Sequence, residues 1–251
     1  MGRREIGSVL TKQKSVTEKK SVLRGFSIMK KNWRTILLIT VFVLAIAGLA
    51  VASDVVSAPY VKKAPFLDGK LDDEAWQIAE QKGGKIKLEY HLNGRPATTK
   101  DISEVYVCWD DDFLYIAYKN YQDEATVIAN VTSDGGSTWT QDDDVEFFLD
   151  TNFPASAYKQ FVSNPNGVRS VTLDGWEAVA EIYKDYWVVE IAIDFATLGD
   201  WPDYGDEWAA NFSRHYGALT GAGDEEWLTW SPLVGSTFLS APTLLLLEFV
   251  K

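Results

Sequence analysis

The stretch Thr138-Trp139-Thr140-Gln141-Asp142-Asp143-Asp144-Val145-Glu146-Phe147-Phe148-Leu149-Asp150 decides the fold of this chain. It sets one tryptophan on a polar loop directly before an amphipathic strand. Side chains on a strand alternate faces, so Val145, Phe147 and Leu149 point one way and Glu146, Phe148 and Asp150 the other. A large ring therefore hangs beside a polar-edged sheet face. Such a face suits sugars, whose C–H faces stack on indole while their hydroxyls seek carboxylate and amide partners. Tryptophans in β-rich chains more often serve as core or rim packing, so Trp139 alone does not settle its role.

The segments around that strand repeat its character. Glu104 to Trp109 and Phe113 to Tyr118 are β-branched and aromatic runs joined by Asp110-Asp111-Asp112, which reads as a hairpin. A second hairpin pairs Glu177 to Tyr183 with Tyr186 to Ile193 across Lys184-Asp185. Further strands are expected at Lys85 to His91, Thr126 to Val131, Val145 to Asp150, Tyr158 to Ser163, Trp208 to Arg214 and Leu244 to Phe249. The one helical signal comes early: Asp72 or Asp73 is placed to cap a short helix running to about Glu80. Many short strands and one short N-terminal helix predict an all-β fold, a two-sheet antiparallel β-sandwich of jelly-roll or immunoglobulin-like type. No internal repeat or interdomain linker is visible.

The N-terminal part reads differently. Lys30, Lys31 and Arg34 precede an apolar run from Ile36 to Ala52 that ends in small residues, the order of a secretory signal peptide. The run is also near the length of a spanning helix, so an uncleaved membrane anchor is the alternative. Met29 stands where a start would make a conventional signal, which leaves residues 1–28 as a basic extension or a mis-assigned start, 29–52 as the signal and 58–251 as the folded domain. The expected location is secreted, periplasmic or cell-surface, with membrane contact only through that segment. Residues 1–52 carry ten of the 24 basic and two of the 36 acidic residues; the remaining 14 and 34 give a net charge of −20. Such a field repels phosphate backbones, so no nucleic acid partner is expected. Cys108 is the single cysteine, and the fold must hold without an internal disulfide.

Little in the chain suggests catalysis. His91 and His215 are the only histidines and have no zinc-site spacing, and no Gly-x-Ser-x-Gly elbow is present. Two carboxylates across a cleft would suffice for a glycosidase, but Glu146, Glu181 and Glu190 on strands read equally as solvated faces or ion pairs. Calcium is the more plausible metal, because Asp110-Asp111-Asp112, Asp142-Asp143-Asp144 and Asp224-Glu225-Glu226 fall in turns where oxygens can converge on a hard cation. None has an EF-hand pattern, and the calcium ligands stay unassigned.

Three blocks together resemble the family 9 carbohydrate-binding modules: Leu67-Asp68-Gly69-x-Leu71-Asp72-x-x-x-Trp76; Val107-Cys108-Trp109-Asp110-Asp111-x-Phe113-Leu114-Tyr115-Ile116; and Trp139-x-Gln141-Asp142-Asp143-Asp144-Val145-Glu146-Phe147-Phe148-Leu149-Asp150. Tyr186 to Ile193 follows in the same order. The resemblance implies two rings that sandwich a terminal sugar unit, polar side chains on neighbouring strands, structural calcium ions and an oligo- or polysaccharide partner. By motif the first ring is Trp139, the strand carboxylate Glu146, the hydrogen-bonding residues Gln160 and Asn164, and the second ring Phe238. The family has a tryptophan where this chain has Phe238, and a strand arginine where it has Val162. Losing part of a stacking surface and a charged hydrogen bond together costs roughly 2 to 4 kcal/mol. Either the ligand differs, or Trp176 or Trp227 compensates, or binding has been lost. Three other readings stay open: a haem-binding member of the related DOMON-like group with His91 or His215 on the iron, a cell-surface protein-interaction module, and a glycoside hydrolase or its accessory domain.

Overall fold

The computed structural model describes residues 55–97, 103–135, 142–170, 173–219, 223, 227–231 and 243–251. The expected signal segment, residues 29–52, lies outside them. Among the described residues no helix is long and apolar enough to cross a membrane.

Two sheets face each other. The five-stranded sheet runs β2 (Lys85–Leu88), β4 (Ser103–Trp109), β5 (Phe113–Tyr121), β9 (Tyr186–Asp194), β8 (Trp176–Ile182). The seven-stranded sheet is centred on β10 (Glu207–His215). One edge of β10 pairs with β6 (Asp144–Asp150), which pairs in turn with β7 (Lys159–Ser163). The other edge is shared: β12 (Leu245–Val250) takes Glu207 to Ala210, and β11 (Trp227–Thr229) takes Ser213 to His215. β1 (Val55–Pro59) and β3 (Tyr90–His91) complete the outer positions. The ladders are antiparallel apart from β1 on β12, which is parallel.

Both expected hairpins are present, and the alternation read from residues 145–150 holds. Val145, Phe147 and Leu149 enter the core, where Phe147 stacks between Phe161 and Phe212 at centroid distances of 5.9 and 4.9 Å. Trp176 is also core, 2% exposed and edge-on to Phe161, so it is not placed to compensate a binding ring. Arg214 is fully buried on the inner face, donating to Gln122 Oε1 and Ser103 Oγ and lying over the Tyr216 ring.

Three expectations are corrected. Lys85 to His91 is not one strand: β2 belongs to the five-stranded sheet and β3 to the seven-stranded one, so the chain changes sheets at Glu89. Thr126 to Val131 is not a strand, because the Thr126 and Val127 amides close a turn onto the Asp123 and Glu124 carbonyls and side chains take those of Ile128, Asn130 and Val131, as described below. The acidic strand residues are not all solvated: Glu181 is exposed, but Glu146 and Glu190 are buried.

The helix α1 (Glu74–Gln81) has Asp73 at its N-cap position, but the Asp73 carboxylate accepts from the Phe66 amide instead of capping the helix. α1 packs Ala75, Trp76 and Ala79 on the outer face of the five-stranded sheet, against Tyr106, Cys108, Tyr115 and Ala117. There the first motif block meets the fourth. Glu190 on β9 accepts from the amides of Asp68 and Gly69 at 2.9 and 2.7 Å and from the Trp76 indole at 2.7 Å. Gly69 has φ +78°, and a Cβ there would lie 2.5 Å from the Glu181 Cβ, so this turn requires glycine.

Candidate functional site

The outer face of the seven-stranded sheet carries Asp144, Glu146 and Phe148 of β6. By register these lie beside His215, Ser213 and Asn211 of β10. On the other side Val162 and Gln160 of β7 flank Glu146 and Phe148. Thr229 and Trp227 of β11 extend the same face from Ser213 and His215. Polar side chains on a sheet face are usually solvated, yet here Glu146 is 2% exposed and Asp144, Asn211, Ser213 and Thr229 are fully buried.

Glu146 is the best-placed expected site residue. Its Oε2 accepts from Gln160 Nε2 at 2.7 Å, which fixes the carboxyl on the sheet face. Burial pushes its pKa up to about 7, and the Gln160 hydrogen bond opposes that rise. Val162, paired with Glu146 across the ladder, is 2% exposed and offers only an aliphatic surface. Asn164 donates to Asp142 Oδ2 at 2.8 Å and to the Val131 carbonyl at 2.9 Å, and its Oδ1 accepts from the amides of Asn166 and Val168. The structure therefore brings Glu146 and Gln160 into direct contact and ties Asn164 to the loop below. Trp139 and Phe238 lie outside the described residues.

The acidic run before β6 divides into two kinds of residue. Asp142 accepts from the amides of Asn130 and Val131 at 2.8 and 2.9 Å. Asp143 accepts from the amides of Ile128 and Gly217 at 2.8 and 2.9 Å and from Gln122 Nε2 at 3.0 Å. A Cβ on Gly217 would lie 2.7 Å from the Asp142 carbonyl carbon, so this approach also needs glycine. Two aspartates thus hold the segment 128–131. Asp144 differs: neither of its oxygens has a hydrogen-bond partner.

The acidic turns do not converge on a common point. Asp110 accepts from the amides of Asp112 and Phe113 and from the Tyr115 hydroxyl, which closes its own hairpin. Among the described residues there is no group of three or more His, Cys, Asp or Glu placed to hold a metal ion; Asp224-Glu225-Glu226 lies outside them. His215 is not presented as a haem ligand: its ring stacks on Trp227 at 4.3 Å, and its Nδ1 lies 3.0 Å from the Asp142 carbonyl.

A cleft of about 470 Å³ lies away from this face, lined by Leu67, Phe113, Tyr115, Arg169, Trp176 and Asp194 among others. Three of its polar groups are already engaged, Tyr115 with Asp110, Arg169 with Asp134, and Asp194 with the Ala196 amide of α2 (Phe195–Leu198), and Glu177 is exposed to solvent. Depth alone does not make it a site, and the carboxyl cluster over β6 and β10 carries more chemistry.

Of this face, Ser213 escaped the sequence reading, while Asp144, His215 and Trp227 were read only as part of an acidic turn, a haem-ligand alternative and a compensating ring. The alternation that turned Glu146 outward also turns Asp144 outward, and that signal was available. Ser213 and His215 become neighbours of β6 only through a register that no local pattern encodes.

The domain is a two-sheet β-sandwich that presents a buried carboxyl cluster on one outer face. The family model for the carbohydrate family 9 binding domain-like group matches residues 67–243, and the chain belongs to that family. Comparison with curated proteins gave no match. Among solved structures, the chain is similar to a family 9 carbohydrate-binding module from Caldicellulosiruptor kristjanssonii in complex with glucose. The two share 20% identity over 78% of this chain and 95% of that one, with a TM-score of 0.58. The same TM-score and identity are found for the cellotriose complex, of which 94% is covered. A protein from Bacteroides uniformis described as a candidate carbohydrate-binding protein matches at TM-score 0.60 and 17% identity, over 79% of this chain and all of that one. At these identities the neighbours establish the fold.

Proposed function

We propose that residues 58–251 are an exported, non-catalytic carbohydrate-binding domain. It holds a sugar unit over the outer face of the seven-stranded sheet, with Trp139 and Phe238 as stacking rings, Glu146 and Gln160 on the hydroxyls and Asn164 at the rim. The observation that carries this reading is the Glu146 carboxyl, buried on that face and oriented by Gln160 at 2.7 Å, in the strand that follows the Trp139 loop. Family membership supports it, and the glucose and cellotriose complexes of the structural neighbours make short glucans the first ligands to try. Export through residues 29–52, to the medium, periplasm or cell surface, and structural calcium belong to the same proposal.

Val162 beside Glu146 and phenylalanine at 238 predict weak binding. An affinity reduced by about 2 to 4 kcal/mol from micromolar falls near the millimolar range. Calorimetric titration of the full-length chain with glucose, cello-, xylo- and manno-oligosaccharides, in calcium and then in chelator, tests the reading. The expected result is saccharide binding abolished by Trp139→Ala. Flat titrations across the panel would reject it, and a response to chelator would show whether calcium supports the site. N-terminal sequencing of the exported product checks removal of the signal.

A further inference from the structure

Around Glu146 two polar side chains are fully buried and have no hydrogen-bond partner. One is Asp144, through both carboxyl oxygens; the other is Ser213, through Oγ. Asp144 lies two residues before Glu146 on the same face of β6, and Ser213 is directly opposite Glu146 on β10. Buried polar groups are almost always hydrogen-bonded, because an unmade bond leaves the full desolvation penalty. The contrast within one run is sharp: Asp142 and Asp143 accept from backbone amides and side-chain amides, and Asp144 accepts from nothing.

The groups that face Asp144 explain why it finds no partner. His215 Nδ1 is 3.9 Å from its Oδ2, but the same nitrogen is 3.0 Å from the Asp142 carbonyl, which can only accept, so the hydrogen on Nδ1 is directed there. Glu146 on its own strand and Asp142 and Asp143 before it are acids. β7 contributes the amides of Gln160 and Asn164, which are donated to Glu146 and Asp142. β11 contributes Trp227, stacked on His215. Arg214, next to His215, faces the core.

We propose that Asp144 and Ser213 complete the saccharide site around Glu146, so that Asp144 donates to, and Glu146 accepts from, hydroxyls of the same sugar unit. This rests on the saccharide reading of that face and extends it to specificity. Burial, then repulsion from Glu146, Asp143 and Asp142, holds Asp144 well above the usual carboxylate range, which favours the protonated form that can donate. A sugar hydroxyl accepts one hydrogen bond and donates another, which matches an acid and an acceptor side by side. A ligand that lacks adjacent hydroxyls cannot meet Asp144 and Glu146 together.

The test is titration of the full-length chain with glucose and cellotriose from pH 5 to 9 in chelator, comparing wild type with Asp144→Ala, Asp144→Asn, Ser213→Ala and Trp139→Ala. Wild-type affinity should fall as pH rises, because an ionised Asp144 cannot donate. Loss of a hydrogen bond in Asp144→Ala or Ser213→Ala should weaken binding about tenfold. Asp144→Asn, whose amide keeps a donor but does not titrate, should retain more affinity than Asp144→Ala and show a pH dependence different from wild type, with only the Glu146 titration near 7 remaining. Thermal unfolding verifies folding, and the asparagine variant carries the test should the alanine variant fail to fold. Binding lost in Trp139→Ala but unchanged in affinity and pH profile by the Asp144 and Ser213 variants overturns this inference and leaves the saccharide site standing. No wild-type binding at any pH overturns both.

Discussion

At the scale of single residues, Glu190 shows why a motif can be strong and still not be the binding site. Leu67-Asp68-Gly69 and Trp76 supply three N–H donors to one buried carboxyl, which locks the N-terminal segment and α1 onto β9. Burial pushes Glu190 up to about 7, against the pull of those donors. Trp76→Phe keeps the ring and removes the donor to Oε1. It should therefore destabilise the fold by about 1 to 3 kcal/mol, the penalty for stranding one side of a buried hydrogen bond, with no change in saccharide affinity. Urea unfolding reads the first effect and titration the second. A variant as stable as wild type would mean that the indole packs but does not hold Glu190.

At the scale of elements, the segment 127–131 is the instructive failure of sequence reading. Its residues have strand propensity, but the amides of Ile128, Asn130 and Val131 are taken by Asp143 and Asp142 from across the loop, a pairing that no window around Thr126 to Val131 contains. The hairpins were legible because their strands and turns are contiguous, and β6 because its alternation is local. β1 and β11 were not, because β1 is fixed by β12 at the opposite end of the chain and β11, three residues long, is fixed by β10 and β3. The same divide runs through the site. Glu146 and Gln160 follow from motif and alternation, whereas Ser213 and His215 reach β6 only through the β6–β10 register. Asp142→Ala removes the acceptor for two amides and for Asn164. It should cost about 3 kcal/mol, since bonds to a charged acceptor are the stronger class. Amide exchange should accelerate most at Asn130 and Val131, and less at Ile128, which Asp143 holds. Uniform acceleration over the whole domain would instead indicate global destabilisation without a local anchor.

At the scale of the whole molecule, the buried acids set the pH dependence of stability. Glu146 and Glu190 have folded pKa values near 7, and Asp144 is also raised, while unfolded carboxyls titrate near 4. A raised acid means that the folded state holds its proton more tightly than the unfolded one. The stabilisation is complete below the unfolded value and is lost as pH rises through the folded value. Asp68, Asp134 and Asp150 are shifted the other way, Asp68 and Asp134 first by hydrogen bonds to Lys70 and Arg169, and Asp150 by backbone amides that outweigh its burial. Their contribution is present above about pH 4 and disappears as pH falls further. The two sets together place maximum stability between about pH 4 and 6, and the excess of acidic residues deepens the decline above it through self-repulsion. Chemical denaturation at pH 5 and pH 8 should show the domain weaker at pH 8 by several kcal/mol, each raised glutamate contributing about 3 kcal/mol at most. Asp144→Asn removes one of these groups without changing its shape, so it should raise stability at pH 8 and leave pH 5 nearly unchanged. Stability that increases from pH 5 to 8, or an asparagine variant with the wild-type slope, would show that these carboxyls ionise freely in the folded protein.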